Sequence, residues 1–160
     1  MISVVLKLIY AETDEHLEII RVLFREYEEY LGFHLCFQNF EDEMKTLPGK
    51  YAPPQGRLII AEYDSEIAGC VAVKKIGEGV CEMKRLYVRP KFRGKKIGRL
   101  LAERIVADAR EIGYDLMRLD TLERLKEAIA LYRSMGFKET TAYVYNPIED
   151  VVYMELKLNS

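Results

Sequence analysis

The chain has 160 residues, 49% of them hydrophobic and 31% charged, which suits one domain with a sizeable core and is too short for two. A formal net charge of −2 argues against a general nucleic-acid binder. Any anion site must therefore be a local concentration of positive charge. No apolar run approaches the roughly 20 residues that span a bilayer, and the start of the chain lacks the pattern of a signal peptide. Cys36, Cys70 and Cys81 are scattered and odd in number, with no Cys-x-x-Cys pair for zinc. The expectation is a metal-free cytoplasmic protein of one domain, 1–160, with neither a membrane nor a nucleic-acid partner.

In chain order, Ile2 to Ile9 reads as a first strand. Thr13 or Asp14 can cap a helix whose apolar stripe is Leu17, Ile20, Phe24, Tyr27 and Leu31, and Gly32 ends it. The stretch from Phe33 to Pro54 is irregular, with a short helix around Glu41 to Leu47. It is aromatic (Phe33, Phe37, Phe40, Tyr51), either as a packed cluster or as the wall of a substrate pocket. Arg57 to Tyr63, Ile67 to Ile76 and Val80 to Val88 read as three strands joined by hairpin turns. A helix follows, with Ile97, Leu100, Leu101, Ile105, Ala109 and Ile112 on one face. Asp115 to Thr121 alternates as a strand, and Arg124 to Met135 carries Leu125, Ile129 and Tyr132 in a helical stripe. Phe137 to Thr141 and Val151 to Leu158 close the chain as strands, the last of them offering an edge for a homodimer. This order predicts a mixed α/β domain around one twisted, mostly antiparallel sheet flanked by helices.

One segment concentrates positive charge. Lys84, Arg85, Arg89, Lys91, Arg93, Lys95, Lys96 and Arg99 follow one another with no acidic residue among them. They lie where a strand ends, a glycine-containing turn follows and a helix begins. A helix N-terminus presents unpaired N–H groups and the positive end of its dipole, which suits a phosphate. Gly94 and Gly98 let the backbone approach such a ligand. A P-loop would need Gly-Lys-Ser/Thr, whereas Gly94-Lys95 is followed by Lys96. The Gly-x-Gly-x-x-Gly dinucleotide fingerprint is also missing.

Arg93-Gly94-Lys95-Lys96-Ile97-Gly98 resembles the acyl-CoA signature of the Gcn5-related N-acetyltransferases (GNAT), Arg/Gln-x-x-Gly-x-Gly/Ala. The run from Ala128 to Phe137, containing Leu131-Tyr132 and ending in Gly136-Phe137, looks like that family's second motif. The element order is similar over nearly the whole chain. Two departures stand out: Lys96 occupies the signature's first glycine position, and Leu125 stands where many relatives carry asparagine. A side chain at Lys96 is tolerable if the turn keeps helical dihedrals.

The resemblance implies an acetyl-CoA-dependent N-acetyltransferase whose acyl donor lies on Arg93, Gly94, Lys95, Lys96, Ile97, Gly98 and Arg99. It also implies that the backbone of Leu86, Tyr87 and Val88 pairs with the pantetheine arm and offers an N–H to the thioester oxygen. Glu82 falls where relatives place a catalytic base. Strand alternation puts it on one face with Lys84 and Leu86, so a salt-bridged surface carboxylate is the competing reading. Tyr132 falls on the motif tyrosine, whose hydroxyl protonates the departing sulfur in relatives, although an ordinary core aromatic would fit the same stripe. Cys81, or Cys36 beside His34, reads as a small core hydrophobe rather than a nucleophile. Asp120 and Glu123 could line the acceptor cleft, with capping of the following helix the favoured role.

The acceptor site is expected between the Phe33 to Tyr51 region and the Tyr143-Val144-Tyr145-Asn146 turn, where Glu41, Asp42 and Glu43 would suit a small cationic or aromatic amine. A small-molecule amine acceptor attacked directly in a ternary complex is the leading reading. The alternatives are a protein (N-terminal or lysine) acetyltransferase and a non-catalytic acyl-CoA-binding module.

Overall fold

Leu6 to Ile9 of the opening run, together with Tyr10, form β1 (Leu6–Tyr10), and Thr13 then starts α1 (Asp14–Leu31). The Thr13 hydroxyl accepts from the His16 N–H at 3.1 Å while the His16 ring accepts from the Thr13 N–H at 3.4 Å, a capping box with histidine in place of glutamate. Gly32 ends the helix with φ 81°. The remaining elements are α2 (Phe40–Thr46), a 3-10 turn at Gly49–Tyr51, β2 (Arg57–Tyr63), β3 (Glu66–Gly77), β4 (Val80–Val88), α3 (Ile97–Ile112), β5 (Leu116–Leu122), α4 (Lys126–Ser134), β6 (Lys138–Thr140) and β7 (Val151–Lys157). This computed structural model describes residues 5–32 and 39–159. Expectations that fall on Ile2, Phe33, His34, Cys36 and Phe37 lie outside them.

The seven strands form one sheet in the order β1-β2-β3-β4-β5-β7-β6. Every pairing is antiparallel except β4 with β5. The α3 helix joins these two strands, and a parallel pair needs such a crossover. One face of the sheet packs Val71, Val73, Cys81 and Met83 against Ile97, Leu101 and Ile105 of α3. The other packs Ile60, Cys70 and Ala72 against Ile20, Leu23 and Phe24 of α1, with Phe40 and Tyr51 completing that cluster. Burying an apolar side chain of this size contributes about 1.5–3 kcal/mol, so the two amphipathic helices are held by the sheet between them.

Two expectations need correction. Leu100 is 40% exposed, because α3 buries Ala102 and Val106 instead and its contact stripe is rotated away from Leu100. The last strand is interior rather than an edge: β7 pairs with β5 along its length and with β6 through Tyr153, Met154 and Glu155.

The feature that positions everything else is a parting of the sheet. β4 and β5 are paired only at Val80–Leu116, Cys81–Met117 and Glu82–Arg118. Beyond them the strands diverge, and the later half of β4 presents an edge to a cleft.

Candidate active site

The cleft begins with an irregularity in β4. Cys70 pairs with Tyr87 and Ala72 with Lys84, so Val71 alone opposes both Arg85 and Leu86, and Arg85 has φ 60°. This is a β-bulge, which bends a strand and re-aims its side chains. Gly69 permits it: a Cβ there would lie 2.3 Å from the Tyr87 carbonyl oxygen. The bulge breaks the expected alternation. Glu82 and Lys84 do not share a face with Leu86, which packs with Cys81 and Met83 on the α3 side, whereas Tyr87 joins the α1 cluster.

Glu26 of α1 fixes the far end of β4. It accepts from Arg89 at 2.9 and 2.8 Å and from the Tyr87 hydroxyl at 3.3 Å. The chain then turns through Pro90–Phe92 into α3. The first bond of that helix runs from the Leu100 N–H to the Lys96 oxygen. The N–H groups of Ile97, Gly98 and Arg99 therefore have no partner within the helix. Gly94 holds φ 81°.

Lys96 departs from the expected helical dihedrals. It has φ 64° and ψ 18°, the left-handed region where a Cβ is strained and glycine is not. Lys96→Gly is accordingly expected to raise the stability of the free protein by roughly 0.5–1 kcal/mol, read from its urea midpoint. A lower midpoint would mean that the lysine side chain outweighs its own backbone strain.

A groove of about 580 Å³ runs from this turn along the edge of β4 to Tyr132. Leu86, Tyr87, Val88, Arg93, Gly94, Lys96, Ile97 and Gly98 all line it; Lys95 and Arg99 do not. Lys95 lies instead over the Tyr63 ring, and Arg99 donates to Ser134. Arg93 is held at the groove by a bond to the Val88 oxygen at 3.1 Å and by the Tyr30 ring, 4.5 Å from its guanidinium carbon.

Much of the one-sign cluster is neutralised by acids from elsewhere in the chain. Arg85 pairs with Glu43, Arg89 with Glu26 and Lys91 with Glu66, while Lys84 lies 3.9 Å from Glu82. Arg93 and Lys96 are the groove-lining cations of the turn. The acidic acceptor surface expected from Glu41 and Glu43 is likewise consumed: Glu41 is bidentate with Arg25, and Glu43 accepts from both Arg85 and Tyr51.

The inner end of the groove meets a smaller cavity of about 40 Å³ lined by Tyr27, Lys84, Arg85, Asp120, Asn146 and Tyr132 among others. Tyr132 therefore borders both spaces. Its ring stacks near Phe137, 5.7 Å between centroids, so the core role and the groove-facing role hold together. Burial pushes its hydroxyl well above the ordinary tyrosine range.

Glu82 is 3% exposed and lies just outside the small cavity, where β4 and β5 are still paired. Its Oε2 accepts from the Tyr143 hydroxyl at 2.6 Å, and its Oε1 lies 3.8 Å from Lys74 and 3.9 Å from Lys84. This is a buried, partnered carboxylate rather than a surface ion pair. Burial raises Tyr143 and lowers Lys84.

Asp120 lies in β5, not at a helix cap; α4 is preceded by Leu125 with no side-chain cap. Burial pushes the Cys81 thiol up to about 12, which suits a core residue and not a nucleophile.

The comparisons with known proteins agree with this geometry. The acetyltransferase (GNAT) family matches residues 16–137. The chain belongs to that family. An uncharacterised N-acetyltransferase of Schizosaccharomyces pombe is 46% identical over 147 residues, covering 91% of this chain and 90% of the relative. Another, from Dictyostelium discoideum, is 36% identical over 92% of this chain and 97% of its own length. Among solved structures, an acetyltransferase from Salmonella typhimurium determined with acetyl-CoA has a TM-score of 0.73 at 17% identity, covering 97% of this chain and 95% of that one. At that identity it speaks for the fold.

This GNAT protein is thus an N-acetyltransferase enzyme, built on a mixed α/β sheet that opens between β4 and β5. No helix among its described residues is long and apolar enough to cross a membrane. The feature that sequence reading undervalued is Asp120. Its position in an alternating strand carried a signal, since Asp120 is offset by two from Arg118, but nothing showed that the neighbouring strand would leave it uncovered.

Proposed function

We propose that this enzyme transfers an acetyl group from acetyl-CoA to the primary amine of a small molecule, by direct attack in a ternary complex. The observation that carries the reading is the pair of connected spaces. A long groove suits the donor, and a cavity of about 40 Å³ at its inner end leaves room for a compact acceptor group rather than a folded peptide.

The residues present fit an acyl-CoA. The α3 N–H groups with Arg93 and Lys96 would hold its phosphates, and the edge from Leu86 to Val88 would take the amides of the pantetheine arm as an added strand. The Salmonella protein holds acetyl-CoA on the same fold, which supports this donor. When bound, the donor supplies an activated acyl group as a thioester.

The chain supplies the rest. A β4 N–H donates to the carbonyl oxygen as negative charge grows on it. Glu82 accepts the proton shed by the amine, through the Tyr143 hydroxyl or a water, because its carboxylate is set back from the small cavity. Tyr132, kept protonated by burial, gives its proton to the sulfur as the carbon–sulfur bond breaks.

The test is a panel of small primary amines with acetyl-CoA, followed by free thiol release, with a lysine-containing peptide as comparison. Turnover of a small amine above the peptide is expected. Turnover of the peptide alone would overturn the acceptor class. For Glu82→Gln, kcat is expected to fall by about 100-fold or more with coenzyme A binding kept. Unchanged turnover would dismiss Glu82 as the base.

A further inference from the structure

Asp120 is an anomaly in the described structure. Its Oδ2 is shut off from solvent and is the buried side-chain polar atom without a hydrogen-bond partner among the described residues. A buried carboxylate oxygen left unpaired costs free energy, and native structures satisfy such atoms unless something else will.

The place of the orphan decides what that something is. Asp120 lies on β5 two residues beyond Arg118, the last residue paired with β4, so it stands where the two strands have parted. It borders both the long groove and the small cavity, as Tyr132 does. It therefore stands at their junction, where donor and acceptor must meet.

The groups within electrostatic reach come from every side. Lys84 belongs to β4, Tyr27 to α1, Tyr132 to α4 and Tyr153 to β7, with Tyr143 from the preceding turn. Lys84 leans to Glu82 at 3.9 Å and does not bond Asp120 Oδ2. The tyrosines bring their hydroxyls within electrostatic reach of the carboxylate. An anion at a cleft lined also by Leu86 and Leu125 suits an organic cation better than a neutral alcohol.

We infer that Asp120 is the docking residue for the acceptor, its carboxylate receiving a hydrogen bond from the substrate's ammonium group at the junction of the two spaces. This rests on the acyltransferase reading and narrows it: the acceptor is a cationic amine, and its charged end is recognised by β5 rather than by the acidic α2 segment. In the free enzyme Oδ2 has no protein partner among the described residues, and the complex gives the carboxylate a further one.

The test compares wild type with Asp120→Asn and Asp120→Ala, using acetyl-CoA and butylamine, phenethylamine, L-lysine and hydroxylamine. The first three are cations near neutral pH and hydroxylamine is neutral. Losing a charge-assisted bond should raise KM for the cationic amines about 10- to 100-fold. Hydroxylamine turnover should change far less. Coenzyme A affinity, measured by calorimetry, should be unaltered, and the melting temperature of the free Asn variant should hold or rise, because a buried carboxylate oxygen without a hydrogen-bond partner no longer carries charge.

An equal loss for hydroxylamine, or a loss that follows a drop in melting temperature, would show a merely structural residue. Unchanged KM for all three cations would overturn the assignment outright. If the wild type released thiol with none of the four, the parent reading would fall and this one with it. A wild type active on neutral hydroxylamine alone would sink only the docking role.

Discussion

Tyr132→Phe lowers kcat by about 100-fold or more while leaving coenzyme A binding intact, if the hydroxyl protonates the departing sulfur. The substitution removes one oxygen from a residue whose ring does the packing, so the core beside Phe137 keeps its shape. Burial holds the Tyr132 pKa far above neutrality. The sign is then fixed: the hydroxyl is protonated throughout the working range and adds no alkaline limb of its own to the pH–rate profile. A thiolate leaving in a water-poor site is itself made more basic by desolvation, so the proton has reason to move. Stopped-flow thiol release with titration calorimetry checks both halves. Unchanged turnover would leave Tyr132 as a core aromatic and nothing more.

The largest effect on stability is expected at Glu43. Its carboxylate accepts from Arg85 Nε at 3.1 Å and from the Tyr51 hydroxyl at 2.8 Å. Arg85 is 4% exposed and lies over the rings of Phe24 and Phe40. Its backbone is already in the left-handed region. Removing one partner leaves a buried guanidinium short of its counter-charge, so Glu43→Ala should cost about 3–5 kcal/mol. The exposed pair between Lys91 and Glu66 is the control, since breaking it should cost no more than about 1 kcal/mol. Urea unfolding measures both. A double variant, Glu43→Ala with Arg85→Met, should recover part of the loss, because no charge is then stranded. Similar costs at the two pairs would mean that water reaches Arg85.

The consequence for function is direct. Arg85 is the bulge residue, and the bulge turns Leu86 and Val88 into the cleft. Glu43 thus ties the α2 segment to the strand that would carry the donor, and its loss should also weaken coenzyme A.

The element order, the family and a glycine-containing basic turn ahead of α3 were legible in the chain. The boundaries Arg57–Tyr63 and Val80–Val88 agree with the pattern to the residue, because alternation, hairpin turns and Pro90 act within a few residues. The Thr13 cap and Gly32 stop are equally local. That turn could be read because its parts are neighbours in sequence: a strand end, glycine, cations and a helix start.

Tertiary structure alone decided the rest. Arg85, Arg89 and Lys91 of the basic run pair with Glu43, Glu26 and Glu66, each more than twenty residues away. The left-handed backbone of Lys96 does not meet the condition of helical dihedrals under which its side chain sits without strain. The bulge at Arg85 reversed the facing of Leu86, since one extra residue shifts a two-residue period and no local pattern marks it. Asp120 gained its importance only because β4 and β5 part just before it. Neighbours along the chain set dihedrals, caps and periodicity, and these the sequence determines. Which charge is paired and which carboxylate is stranded depends on contacts between distant segments, and those exist only once the sheet has closed.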